Sequence, residues 1–311
     1  MADLLKPNTK RAPHPIRLPI LAALAAPLAL TGCTEGILNP QGPITAAERE
    51  LLFNSLGIML TIVVPVILAT LGFAWWYRAS NTRARYLPTW SYSGKIEIVV
   101  WAIPAMVIIL LGGIIWISSH DLDPAKPIQA NVPTIEVDVV ALDWKWLFIY
   151  PQQGIASVNH MVVPAGAPVS IQLTSATVMN SFFVPQLASQ IYAMAGMTTH
   201  LNLLADHPGQ YQGLSAQFSG DGFSGMRFTL DAVPPDQFAT WVSTTKGTGP
   251  TLDDAGYTTL SQPSKYVPPS TYKAIDPMLF SRIATMKPAT SAPSAIPTCA
   301  STKGGPSCSA N

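Results

Sequence analysis

The chain has 311 residues, enough for more than one structural unit. Charged residues make up only 11% of it and the mean hydropathy is +0.28, values that exclude an ordinary water-soluble composition and point to membrane segments. The formal net charge of +1 excludes nucleic-acid binding through bulk charge.

Residues 1–17 carry Lys6, Lys10, Arg11 and Arg17 against a single acid, Asp3. The apolar run Leu18–Leu30 follows, then Thr31-Gly32-Cys33. A basic start, a short apolar stretch and small residues are the plan of an exported precursor. The apolar run is roughly a dozen residues, too short to span the ~30 Å hydrocarbon core as a helix. Leu30-Thr31-Gly32-Cys33 resembles a bacterial lipobox, which implies cleavage after residue 32, acylation of Cys33 and local docking to membrane lipid. The alternative is an uncleaved anchor with a chance cysteine.

A periplasmic segment, 33–50, leads into a hairpin of two membrane helices over 51–118. Thr45-Ala46-Ala47-Glu48 has the spacing of a capping box and predicts the first helix start. Leu51–Tyr77 contains no charge, holds Pro65, and closes on the interfacial aromatics Trp75, Trp76 and Tyr77. The second span reads Ile96–Ser118, with Pro104 inside and Trp101 and Trp116 near its ends. The loop between them, 78–95, carries Arg78, Arg83, Arg85 and Lys95 and no acid, which places it in the cytoplasm and both flanks outside. Glu97 sits just inside the second span, where an ionisable group facing lipid is costly. It is either an interfacial carboxylate reaching back to water, paired with Lys95, or a proton-uptake group facing a partner helix.

Residues 119–234 read as an all-β domain of short, closely spaced strands, a sandwich or barrel. Ile135–Val140 alternates, and Asp143–Tyr150 is an aromatic-rich strand. On that strand Trp144 and Trp146 fall two apart, hence on one face, and mark core or partner-interface packing, with an electron-transfer surface as the alternative. Further strands are expected over Pro168–Ser175, Ser181–Leu187, Gln190–Met194, Thr198–Ala205, Gln210–Phe218 and Met226–Val233. The Gly- and Ser-rich stretch Gly213–Met226 has the form of a ligand loop, yet it contains no Cys, His or Glu. Met226 is its one soft donor, and a thioether beside hydroxyls is not a transition-metal site. None of Cys33, Cys299 and Cys308 lies in this domain, and the five histidines are scattered, so no metal site is expected.

Residues 235–287 form a short C-terminal extension. Helices are expected over Pro235–Lys246, where Phe238, Trp241 and Val242 make an apolar face, and over Asp276–Met286. Residues 288–311, with Cys299 and Cys308, have the Pro/Ser/Thr/Ala composition of a disordered tail.

At Asp143–Trp146, Asn180–Pro185 and Gly213–Met226 the chain resembles subunit II of haem–copper respiratory oxidases. The resemblance extends over Gly72-Phe73-Ala74-Trp75, the Glu97…Val100-Trp101…Pro104 pattern and Ser189–Met197. It implies a two-helix anchor and a cupredoxin-like domain outside the membrane. Members that oxidise cytochrome c carry a dinuclear copper centre on a Cys-x-x-x-Cys-x-x-x-His-x-x-Met loop with an upstream His and a Glu between the cysteines. Here those positions hold Ser215, Ser219, Phe223 and Met226, with Asn180 for the upstream His and Gln217 for the Glu. That pattern resembles the quinol oxidase branch, of the cytochrome bo type. It implies ubiquinol as the electron donor of the complex in place of cytochrome c. It also implies haems and one copper in subunit I, that subunit and smaller ones as partners, no cofactor in this chain, and a proton-channel mouth near Glu97. Two other readings compete: a cytochrome c oxidase subunit, against which the replaced ligands speak, and a free-standing membrane lipoprotein with a β-domain for binding or scaffolding.

Overall fold

The computed structural model describes residues 36–85 and 87–285. Cys33, the expected signal segment 1–32 and the expected tail 288–311 with Cys299 and Cys308 lie outside them.

Two helices, α1 (Pro43–Trp76) and α2 (Gly94–Asp121), are long and apolar enough to cross a membrane. No residue of their most apolar windows is buried within the chain, as expected of surfaces that face lipid or another subunit. The helix start differs from the capping box expected at Thr45. Gly42 is the N-cap, Pro43 opens the first turn, and Thr45 is already inside the helix with its hydroxyl buried. Proline fits there because its missing N–H is one the first turn leaves unpaired. Gly42 also presses on the β-domain: a Cβ at this position would lie 2.2 Å from the Leu204 carbonyl oxygen.

The outer ends of both helices are tied to the β-domain. The Gln41 amide donates to the Gln186 carbonyl at 2.8 Å, and the Asp206 amide donates to the Gln41 carbonyl at 2.9 Å. The Ser189 hydroxyl donates to Glu48 on α1. Beyond α2, the Asn202 amide donates to the Pro124 carbonyl at 2.8 Å and its side chain to the Ala125 carbonyl at 3.1 Å.

The domain is a two-sheet sandwich. In chain order its strands are β1 (Ile135–Leu142), β2 (Lys145–Tyr150), β3 (Ile155–Val158), β4 (His160–Pro164), β5 (Val169–Ser175), β6 (Asn180–Phe183), β7 (Ile191–Ala193), β8 (Thr199–Leu203), β9 (Gly209–Ser215) and β10 (Arg227–Val233). The C-terminal extension adds α3 (Pro235–Gly247), β11 (Thr251–Leu252), α4 (Asp254–Ser261), β12 (Ser270–Tyr272), β13 (Ala274–Ile275) and α5 (Leu279–Thr285). One sheet runs β12-β3-β2-β1-β5-β8 and the other β4-β10-β9-β6-β7, with β11 and β13 as a separate pair. β3, β4 and the extension's strands and α4 were not foreseen. β3 and β4 are short and separated by one residue, too little to show a period of their own.

That residue, Asn159, lets the chain cross from one sheet to the other. Its φ is +53°, a conformation asparagine tolerates better than most side chains. Its Oδ1 accepts from the Trp146 amide at 2.8 Å, and its Nδ2 donates to the Val267 carbonyl at 2.8 Å. Tyr150 bridges the same two sheets: its hydroxyl donates to the Val162 carbonyl and accepts from the Val162 amide.

Two apolar clusters form. The larger lies between the sheets and centres on Trp146, Phe148, Phe182 and Phe228. The smaller lies on the outer face of the six-stranded sheet, where Val140, Leu142, Leu147 and Ile149 meet Leu252, Leu279 and Ile283 of the extension. Every residue of β2 is therefore buried, which explains why this strand reads as a nearly continuous apolar run.

Trp144 and Trp146 do not share a strand face. β1 and β2 form a hairpin whose two turn residues are Asp143 and Trp144, and Trp144 has φ +62°. Trp146 is fully buried between the sheets, with its ring edge-on to Phe182 at 5.4 Å and to Phe228 at 5.8 Å. A partner-interface role for Trp146 is thereby excluded, because the side chain has no surface to offer. The expected spacing failed because a turn residue resets the alternation of the strand that follows it.

Candidate functional site

The site is built where β6, β9, β10 and the β1–β2 turn converge. The loop Gly213–Met226 leaves β9, makes a short 3-10 turn at Phe223–Gly225 and returns into β10. Its base is closed by the Ser215 amide donating to the Met226 carbonyl at 3.0 Å and the Ala216 amide to the Ser181 carbonyl at 3.0 Å. Beneath it, Phe182 and Phe228 stack with ring centres 4.9 Å apart. A Cβ on Gly213 would fall 2.0 Å from the Phe228 ring, so this strand can approach the aromatic layer only as glycine.

The structure brings together most of the residues singled out by spacing. Asn180, Ser215 and Met226 are buried side by side. Ser215 Oγ lies 3.3 Å from Asn180 Oδ1 and 3.2 Å from the Gln217 carbonyl, two acceptors for one hydroxyl proton. Asn180 Nδ2 donates to the Val178 carbonyl at 3.0 Å, and Ser219 Oγ lies 3.9 Å from Met226 Sδ. Phe223 turns instead to Phe218, edge-on at 5.6 Å. These donors are hydroxyls, amides and one thioether. They provide no thiolate or imidazole, so they do not fit a copper centre of the cupredoxin type. Among the described residues, no group of three or more His, Cys, Asp or Glu is placed to hold a metal.

Trp144 lies over this loop. Its indole Nε1 donates to the Ser219 carbonyl at 3.0 Å, and a Cβ on Gly222 would fall 2.5 Å from the ring. The C-terminal extension closes the other side. Lys265 Nζ sits 5.5 Å from the Trp144 ring centre and pairs with Asp221 at 2.6 Å. The Lys265 hydrogen bond and charge hold the Asp221 carboxyl below its usual range. Tyr266, at φ +53°, packs its ring on Gly225, where a Cβ would fall 2.5 Å away.

Lys145, the neighbour of Trp144, anchors this clasp. It is fully buried, yet its Nζ donates to the Gln262 carbonyl at 2.7 Å and to Ser264 Oγ at 2.5 Å. Burial lowers the Lys145 pKa, with Asp143 opposing. The sequence reading missed Lys145, Asn159, Lys265 and Tyr266. One signal was present: a lysine inside an apolar strand needs an acceptor for its ammonium group.

Glu97 lies in the first turn of α2, exposed, and forms no ion pair with Lys95 or any other described residue. It stands far along the chain from the loop site and at the opposite end of α2 from the β-domain.

Residues 130–233 match the family model for the periplasmic domain of cytochrome c oxidase subunit II, and residues 246–286 match the COX aromatic-rich motif. The chain is 48% identical over 263 residues to the cytochrome bo(3) ubiquinol oxidase subunit 2 of Pseudomonas aeruginosa, covering 85% of this chain and 80% of that one. It is 47% identical over 269 residues to the ubiquinol oxidase subunit 2 of Acetobacter aceti, covering 86% and 87%. The chain belongs to the ubiquinol oxidase subunit II family. A solved periplasmic domain of cytochrome oxidase subunit II from Bradyrhizobium japonicum is 25% identical, with a TM-score of 0.36, over 39% of this chain and 98% of that one.

As a quinol oxidase subunit II, the chain is one component of a haem–copper oxidoreductase complex with partner subunits. The two apolar helices followed by a cupredoxin-like periplasmic domain fit an inner-membrane protein. The aromatic-rich motif is the segment that clasps Trp144 and covers the outer face of the six-stranded sheet.

Proposed function

We propose that this subunit serves a complex that oxidises ubiquinol, reduces oxygen to water and pumps protons, and that it does so without a copper centre of its own. The observation that carries the reading is the donor set at Asn180, Ser215, Gln217, Ser219, Phe223 and Met226. It keeps the spacing of a dinuclear copper loop and none of its thiolates or imidazoles. Electrons then reach the haems and copper of subunit I directly from quinol: two quinols give up four electrons and four protons for each oxygen converted to two waters. Cytochrome c is not a donor, because its electrons would need the absent centre.

The role of this chain is assembly and docking. The hairpin spans the membrane twice, loop 78–95 faces the cytoplasm, and the exposed helix faces meet subunit I and lipid. The outer-end hydrogen bonds from Gln41, Ser189 and Asn202 hold the β-domain over that assembly. Cys33 carries acyl chains that secure the N-terminus at the outer leaflet. Glu97, at the cytoplasmic end, passes protons to a channel of subunit I.

The test is oxygen consumption by the complex isolated through this chain, with ubiquinol and reduced cytochrome c as rival donors, beside metal analysis. Turnover with quinol alone, and no copper beyond that of subunit I, is expected. Turnover with cytochrome c, or additional stoichiometric copper lost on altering Met226, would overturn the reading.

A further inference from the structure

A cavity of about 850 Å³ opens between the ends of α1 and α2 at the basic loop. Its walls divide by chemistry. Phe73 and Ile96 come from the last turn of α1 and the first turn of α2, Tyr77 caps α1, and Trp90, Arg78 and Arg85 come from the loop. The four apolar and aromatic side chains are all exposed in the isolated chain. Arg78 is held in place: its guanidinium lies 4.8 Å from the Trp75 ring centre, with Nε donating to Ser80 Oγ at 3.0 Å and an Nη to the Trp75 carbonyl at 2.8 Å. Arg85 forms no ion pair among the described residues, and the loop 78–95 contains no acid to neutralise either guanidinium.

We propose that this cavity binds one anionic phospholipid of the cytoplasmic leaflet, its phosphate on Arg78 and Arg85 and an acyl chain along Phe73 and Ile96. The order of the walls is the reason. A phospholipid presents a diester anion, an interfacial glycerol and a hydrocarbon chain in the sequence in which the cavity presents guanidinium, Tyr and Trp, and aliphatic wall. An apolar helix of another subunit would cover the apolar wall but offer no counter-charge to either guanidinium. Free phosphate would match the arginines and leave the apolar wall bare. The inference rests on the proposed topology, which puts this loop on the cytoplasmic side.

The experiment uses the whole complex, washed in zwitterionic detergent and weighed intact by native mass spectrometry. Wild type is expected to retain one phosphatidylglycerol or cardiolipin that the Arg78→Gln/Arg85→Gln variant loses. Retention should weaken about twenty-five-fold, from two charges contributing about fivefold each. Addition of inorganic phosphate should not displace it. A photoreactive residue in place of Trp90 should cross-link to lipid. Equal retention in wild type and variant, retention of a zwitterionic lipid instead, displacement by phosphate, or cross-linking to subunit I would each overturn the proposal. A Thr82→Cys variant labelled by an impermeant maleimide separates the two readings. Labelling in inverted vesicles with no difference in lipid sinks the lipid site alone, whereas labelling from the outside removes the topology and the site with it.

Discussion

Asp138 offers a test of the packing between the β-domain and its C-terminal extension. It lies in β1, one strand period from Val140, on the outer face that the extension covers. Its carboxyl has neither a hydrogen-bond donor nor a cation partner among the described residues. Burial, with the exposed Glu136 beside it as the smaller cause, raises its pKa from 3.8 to about 6. A raised carboxyl pKa means that the folded state holds the proton more tightly than the unfolded chain. The resulting stabilisation is complete below the unfolded value of 3.8 and is lost as pH rises through about 6. A shift of roughly two units corresponds to about 3 kcal/mol at most. Asp138 is only half-buried, so water screening leaves about 1–1.5 kcal/mol. Asp138→Asn should therefore stabilise a fragment running from Pro124 to Lys287 by that amount at about pH 7.5 and by nothing near pH 4. Urea unfolding at a series of pH values reads the difference directly. An Asn variant no more stable than wild type at the higher pH, or one with the same slope between about pH 4 and 6, would refute the account. Glu136→Gln should give a smaller gain in the same direction, since it removes only the lesser cause.

Phe228→Ala should destabilise the domain by about 3–5 kcal/mol in the same unfolding assay, because the ring fills the layer between Trp146, Phe148 and Phe182 beneath the loop. Lys145→Met keeps the aliphatic stem and removes the donors to Gln262 and Ser264. A loss of about 2 kcal/mol is expected, with new protease cleavage near Gln262, and an uncut extension would show that Lys145 does not hold the clasp. Gly222→Ala should push the Trp144 indole off the Ser219 carbonyl, read as a red-shifted tryptophan emission, with little change in global stability. Glu97→Gln in the intact complex should slow turnover several-fold, less than the ~10²–10⁴ of a lost general acid or base at the reacting atoms. Normal turnover and pumping would remove Glu97 from the proton route.

Much of the fold was legible because its signals are local. The charge-free run Leu51–Tyr77 needs no partner to be read as a span, and β5, β8 and β10 lie within two residues of where alternation put them. The extension was harder to read. β12 pairs with β3 across more than a hundred residues, and β11 with β13 in two residue pairs, so neither is long enough to carry a period. Trp144 and Trp146 show the same limit from the other side. Their spacing was read correctly and their geometry was not, because a turn residue with positive φ separates a fully buried ring from a partly buried one that lies over the loop.

What the sequence determined by itself was chemical and topographic: two apolar spans, a basic loop between them, and a ligand loop without thiolate or imidazole. Those statements depend on residue type and on hydrocarbon thickness, neither of which waits for folding. Only the tertiary structure decided that Asn180, Ser215 and Met226 are buried together, that Lys145 latches the aromatic-rich extension, and that Lys265 and Gly222 enclose Trp144. Each of these contacts joins segments far apart in the chain, and close packing between sheets, rather than any local preference, selects which of them meet.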